Sequence, residues 1–261
     1  MNEYIKWKNL KGIGVLTLNR PEQHNALSYE MIGSIADRLE ACLEDKTVNV
    51  IVLRGAGNSF CSGGDLKGHP FLSADNDEQR QEYLLTNHRI AFAVRHLPQP
   101  VIGELHGLVG GAGLDLAMAC DIRIASENAR LGVLFTRVGL MPDMGGTYWL
   151  PRLVGTSKAL ELLFTGDLID GSEAHRIGLV NQVVAESDLE TEVMAFAQRL
   201  IKGPLQSYRF HKKAVYHGID SQMEAIFNLE TNGQCELMKT QDVKEALEAF
   251  QQNRHPVFKG R

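Results

Sequence analysis

The 261-residue chain has only four cysteines, Cys42, Cys61, Cys120 and Cys235, and no two of them stand in a Cys-x-x-Cys spacing. This excludes a disulfide framework and a zinc ribbon, and it predicts reduced, mostly buried thiols of the kind kept in the cytoplasm. No His-Glu-x-x-His or other His/carboxylate cluster occurs, so no metal is expected. No apolar run approaches the roughly 20 residues that cross a bilayer. Met1-Asn2-Glu3-Tyr4 lacks the basic start and apolar stretch of a signal peptide. Positive charge is short as well: 27 Lys and Arg stand against 32 Asp and Glu, a net charge of -5. That balance argues against nucleic acid as the main partner, although a local basic patch could still meet a phosphate. Internal repeats and low-complexity tracts are missing too. These absences predict a cytoplasmic globular protein.

With 44% hydrophobic residues the chain can bury a large core, in one large domain or two small ones. Ile13 to Leu18 reads as a strand stopped by Asn19-Arg20-Pro21. Ser28 caps a helix expected to run through Glu44, with Met31, Ile35, Leu39, Cys42 and Leu43 at helical spacing. The run Val48 to Leu53, rich in β-branched residues, predicts a strand buried on both faces. Residues 69–80 are polar and aperiodic and read as a mobile loop over a site. A helix from about Glu82 to Leu97 follows, ended by Pro98 and Pro100. Strands are expected at Pro100 to Leu105, Ile122 to Ala125 and Ala129 to Val133, and helices from Ser157 to the end. Strands alternating with helices predict an α/β fold with parallel crossovers.

Two glycine-containing turns follow buried strands: Phe60-Cys61-Ser62-Gly63-Gly64-Asp65-Leu66-Lys67 and Gly107-Leu108-Val109-Gly110-Gly111-Ala112-Gly113-Leu114-Asp115. The second runs into Leu116-Ala117-Met118-Ala119-Cys120, a good helix former, so it ends at a helix start where unpaired N–H groups and the helix dipole favour negative charge. Either turn alone is explained by a tight strand-to-helix connection. Together they can bring two backbone donors to one developing oxyanion. The spacing fits neither a dinucleotide fingerprint nor a phosphate loop, since no Walker lysine is present. Two acids are candidates for proton transfer. Asp115 either pairs with the helix dipole or acts beside the oxyanion site, and Asp143 either caps a helix beginning near Gly145 or shuttles a proton from apolar surroundings. Ser62 lies in no nucleophile elbow, and Cys61 reads as a small core residue. Lys67, and Lys259 with Arg261, are solvated charges or contacts to the phosphates of a long anionic ligand.

These blocks, in this order, closely resemble the crotonase (enoyl-CoA hydratase/isomerase) superfamily. Its Arg-Pro-x-x-x-Asn-Ala-Leu pattern is Arg20 to Leu27 here, and its first oxyanion turn is Phe60 to Lys67. Its second oxyanion turn is Gly107 to Gly113, followed by Ala119-Cys120-Asp121-Ile122, and its Gly-Leu-x-Pro-Asp-x-Gly-Gly-Thr block is Gly139 to Thr147. The likeness extends through Leu150 to Gly155 and down to Phe258-Lys259-Gly260-Arg261. It implies a ClpP-like spiral of ββα units over residues 1–200, with a helical oligomerisation region over 201–261 that builds a homotrimer or homohexamer. It implies an acyl-coenzyme A thioester as substrate, with no permanently bound cofactor and no membrane partner. The carbonyl would be held by the amides of Gly64 and Ala112, and coenzyme A would be met around Ala26, Ser62, Asp65, Leu66 and Lys67. Phe258 and Lys259 would reach the coenzyme A of a neighbouring subunit.

The chain departs from the two-glutamate hydratases of that family. The first glutamate's place is taken by Asp115 and the second by Phe135, which cannot handle a proton and is expected, with the 69–80 loop, to shape the acyl pocket. Asp143 matches an acid used by other members, and Pro142 to Arg152 looks most like the phenylacetate-type isomerase branch. The expectation is therefore enolate chemistry with Asp143 as leading base and Asp115 as a second candidate, isomerisation standing somewhat ahead of hydration. A thioester hydrolase is the enzymatic alternative. A non-catalytic acyl-CoA- or RNA-binding protein on the same scaffold is the other.

Overall fold

The computed structural model describes residues 4–67 and 74–260. Two sheets run side by side through the core. The larger has six strands, β1 (Ile5–Leu10), β2 (Ile13–Leu18), β3 (Val50–Gly55), β4 (Val101–Leu105), β6 (Ile122–Ser126) and β9 (Gln182–Val184), paired in that order. Apart from the antiparallel β1–β2 hairpin, every pair in it is parallel. The smaller sheet holds β5 (Leu108–Gly110), β7 (Arg130–Gly132) and β8 (Ile169–Asp170). Its first pair is parallel and its second antiparallel. The registers Ile102↔Ile122 and Leu108↔Arg130 show the chain laying one strand on each sheet per turn. Isolated bridges Cys61↔Val109 and Leu27↔Gly64 continue the smaller sheet towards the N-terminus. The result is a spiral of strand–strand–helix units.

The β-branched run at 48–53 is explained by its position. In β3, Ile51 and Leu53 enter the main core, while Val50 and Val52 pack on the opposite face with Ile13, Val15, Ile102 and Ile124. That second face is covered by Leu189, Val193 and Ala197 of a later helix, α7 (Leu189–Ile201). The first helix, α1 (Tyr29–Ala41), starts where Ser28 Oγ accepts from Met31 N, and it buries Met31, Ile32, Ile35, Ala36 and Leu39. It stops short of the expected Glu44 because Gln99 Nε2 takes the Cys42 carbonyl at 2.9 Å and turns the chain towards β3.

The expected loop at 69–80 lies partly outside the described residues, namely at 69–73. Its end is a correction: α2 spans Asp77–His96, begun by Asn76 Oδ1 accepting from Gln79 N at 2.9 Å. Acidic Asp77 and Glu78 in its first turn suit the helix dipole. No residue from 77 to 86 is buried, so the first half of this helix carries no apolar stripe to read. The all-helical expectation beyond Ser157 also needs correcting, because β8 and β9 interrupt α5 (Thr156–Thr165), α6 (Gly171–Arg176) and α7. Three further helices follow, α8 (Leu205–Ile219), α9 (Met223–Leu237) and α10 (Gln241–Gln251). Asp121 ties α8 to the start of β4: it accepts from Val101 N at 2.7 Å, Lys212 Nζ at 2.8 Å and Tyr216 OH at 2.7 Å. Among the described residues no helix is long and apolar enough to cross a membrane.

Candidate active site

Between the two glycine turns and α2 lies a cavity of about 300 Å³. Each turn is fastened by backbone hydrogen bonds. Leu27 N donates to Gly63 O at 2.8 Å and Asp65 N to Leu27 O at 2.9 Å. Cys61 N donates to Leu108 O at 3.1 Å, Gly110 N to Cys61 O at 2.9 Å and Gly111 N to Gly132 O at 3.0 Å. These bonds pass over the amides of Gly64 and Ala112, and both residues line the cavity. Gly63 holds φ +115°, a backbone state side chains resist, and a Cβ there would come within 3.0 Å of Gly110 O. The turns therefore nearly touch. Ala112 is the first residue of α3 (Ala112–Ala119), which adds its dipole to that amide.

The Arg20 to Leu27 block is the scaffold for the first turn. Asn25 is fully buried; its Oδ1 accepts from Arg20 N at 2.8 Å, and its Nδ2 donates to Ala56 O at 2.8 Å and Ser59 O at 2.7 Å. Arg20 Nη1 donates to Ala26 O at 2.5 Å, and its Nη2 meets Asp65 Oδ2 at 2.8 Å. Burial alone would raise the Asp65 carboxyl, but the Arg20 guanidinium and the Lys67 amide hold it below the usual carboxylate range. Asp65 lines the cavity, with its carboxylate engaged by Arg20.

The two candidate acids part company. Asp143 lines the cavity and accepts from Asn87 Nδ2 at 3.0 Å. It is not the cap of the next helix, α4 (Gly146–Val154), whose cap residue is Gly145 at φ +94° with no side-chain bond. The acid that meets the start of α4 is Asp115. It is fully buried in α3, all eight of whose residues are buried, and its Oδ2 accepts from Met144 N at 3.3 Å. Gly146 is required there, because a Cβ would run into the Asp115 carboxylate. Asp115 is not among the cavity-lining residues. Burial, with a smaller push from the Asp143 charge, drives its pKa up to about 8 against the partial help of the Met144 and Gly146 amides. At neutral pH it is a neutral acid.

That state has a measurable cost. In the unfolded chain Asp115 ionises near pH 4, so between about pH 4 and 8 the folded state binds the extra proton and loses stability as pH rises. Asp115→Asn is expected to gain stability over wild type on the order of 2 kcal/mol at pH 8 and much less at pH 5. Urea denaturation of both proteins at the two pH values measures this. An equal difference at both would show that Asp115 is ionised when folded.

Of the other expected contacts, Ser62, Asp65, Leu66 and Phe135 line the cavity with Gly64, Ala112 and Asp143. Phe135 is carried on a 3₁₀ segment, Leu134–Val138. Ala26 and Lys67 do not line it; they serve the first turn through Arg20 and through Lys67 N donating to Asp65 Oδ1 at 3.2 Å. Phe258 and Lys259 lie among the C-terminal helices. There Phe258 borders a separate cavity with residues of α8 to α10, and Lys259 N donates to Asp242 Oδ1 at 2.7 Å. Asn87 is the site residue that sequence reasoning missed. A lone asparagine inside a helix gives no pattern, and only an Asn on the Ile90-Ala93-Val94 face hints at a polar residue turned inward.

Residues 8–261 match the family model described as enoyl-CoA hydratase/isomerase. The chain is 37% identical over 259 residues to "Probable enoyl-CoA hydratase" of Rhodobacter capsulatus, with 98% of each chain covered. It is 32% identical over 265 residues to 1,2-epoxyphenylacetyl-CoA isomerase of Escherichia coli, covering 100% of both. The crystal structure of enoyl-CoA hydratase from Bacillus anthracis superposes with a TM-score of 0.92 at 33% identity, covering 99% of this chain and 100% of that one. The spiral and its paired amide turns therefore have the expected parentage, and the protein is an enzyme of the hydratase/isomerase type. The chain belongs to the enoyl-CoA hydratase/isomerase (crotonase) family.

Proposed function

We propose that this enzyme shifts the double bond of an enoyl-CoA through an enolate, with Asp143 as the group that moves the proton. The observation that carries this is a single cavity lined by the Gly64 and Ala112 amides and by Asp143. With a 3-enoyl thioester, Asp143 takes a proton from C2, and the electron pair moves through the carbonyl onto the thioester oxygen. The two N–H groups stabilise that dienolate. Asp143 then returns the proton at C4, which leaves the double bond between C2 and C3.

Three placements favour isomerisation over water addition. Asp65 is locked to Arg20, Asp115 is buried behind the cavity wall as a neutral acid, and Phe135 occupies a lining position. Water addition is served by a second proton-handling group beside the first. The test is to incubate a 3-enoyl-CoA and a 2-enoyl-CoA separately in deuterated water. The expected result is interconversion of the two isomers, with deuterium at C4 of the 2-enoyl product and at C2 of the 3-enoyl product wherever Asp143 exchanges its proton with solvent, and little 3-hydroxyacyl-CoA. Accumulation of 3-hydroxyacyl-CoA as main product identifies a hydratase, and free coenzyme A identifies a thioester hydrolase.

As to assembly, we propose a homotrimer or homohexamer formed through residues 201–261. Phe227 at 57% and Phe250 at 83% exposure are apolar surface of the kind a subunit contact covers. In that assembly Phe258 and Lys259 would belong to a neighbour's coenzyme A contacts. The four unpaired cysteines suit a cytoplasmic enzyme.

A further inference from the structure

Asn87 is out of place by the logic of its own helix. It lies on the inward face of α2 with Ile90, Ala93 and Val94, and is only 4% exposed. Its Oδ1 is buried and accepts no hydrogen bond from the described residues. An unsatisfied buried amide oxygen disfavours the folded state, and a leucine of similar volume would avoid that deficit. Residues that break local packing rules in this way are concentrated at functional sites. Asn87 lines the same cavity as Asp143, and its hydrogen bond to a side chain is Nδ2 to Asp143 Oδ2, at 3.0 Å.

We infer that Asn87 is a positioning residue for Asp143: its amide N–H fixes the direction of the carboxylate and holds it in the ionised form that accepts a proton. The inference rests on the reading of Asp143 as the base. A neutral donor on a carboxylate oxygen favours the charged state over the protonated one, and it does so without adding charge to the cavity. The other charged groups facing Asp143 are Asp115 from α3, Asp65 with its partner Arg20 in the first turn, and Arg137 on the 3₁₀ segment. None of them changes when Asn87 is replaced, so a shift in the pH profile reports the amide alone.

The experiment follows the isomerisation of 3-hexenoyl-CoA from pH 5 to 9 by wild type, Asn87→Leu, Asn87→Ser and Asp143→Asn. The Asn87 variants are expected to move the acidic limb of kcat/KM upward by about one pH unit and to lower kcat about tenfold at pH 7, with KM changed less than about threefold. A residue that merely filled space would lower activity evenly across pH. If Asp143→Asn is inactive while both folded Asn87 variants keep the wild-type limb, the role of Asn87 is overturned and that of Asp143 stands. If Asp143→Asn is as active as wild type, both fall. Should Asn87→Leu fail to fold, the smaller and polar Asn87→Ser decides the question by the same criterion.

Discussion

Replacing Asp143 by asparagine is expected to lower turnover of a 3-enoyl-CoA by about 10³-fold while leaving the affinity for acetoacetyl-CoA within a few-fold. Asparagine has the shape of aspartate and keeps an oxygen for the Asn87 Nδ2 bond, so the cavity wall is preserved. What it loses is the ability to hold a proton between two carbons. The amides of Gly64 and Ala112, which on the proposed reading hold the thioester carbonyl in the ground state as well as in the enolate, are untouched. Binding and catalysis should therefore separate. Steady-state rates and titration calorimetry on the same preparation measure both. A variant with undiminished turnover would mean that another group moves the proton, and Asp115 would be the next to examine.

Ala112→Pro should lower kcat by about 10²- to 10³-fold with little loss of stability. The logic is local. Ala112 is the first residue of α3, the helix position where proline's fixed φ fits and where its missing N–H breaks no intrahelical bond. The residue before it is Gly111, with no Cβ to meet the proline ring. So the substitution deletes one donor and little else. Ala112→Ser serves as the control that changes the side chain and keeps the amide. Rates near wild type in Ala112→Pro, with the helix content unchanged, would show that the thioester oxygen is not held there.

The parts of this site that were legible in the sequence are those made of unusual composition. Glycines crowded after a β-branched strand have few other uses, so the two turns at 60–67 and 107–113 can be paired from sequence. Asp143 stood out because apolar residues surround it. Asp115 was visible as an acid, but its burial was not, since α3 is enclosed on all sides and has no polar stripe against which to judge it. Asn87 was silent because its meaning comes from a partner 56 residues away. At the level of the fold, β1 was overlooked although Lys6 and Lys8 alternate with Ile5 and Trp7, a period of two that marks an edge strand. β5, β8 and β9 are only two or three residues long and borrow their conformation from the strands beside them. The start of α2 was hidden for the opposite reason, being held by a cap and exposed throughout.

The bridge between Cys61 and Val109 carries a consequence for how such an enzyme can change. Strand pairing has a two-residue repeat, so inserting or deleting one residue between 61 and 64, or between 109 and 112, turns a neighbouring amide outward and parts the donors. Length variation is closed to those segments. It is open at the Leu134–Val138 segment, which reaches the cavity with side chains and adds no strand to either sheet. Selection for a different acyl chain therefore has its own territory, separate from the stitched pair of turns. Swapping that segment between relatives should transfer substrate preference while the paired turns remain as they are.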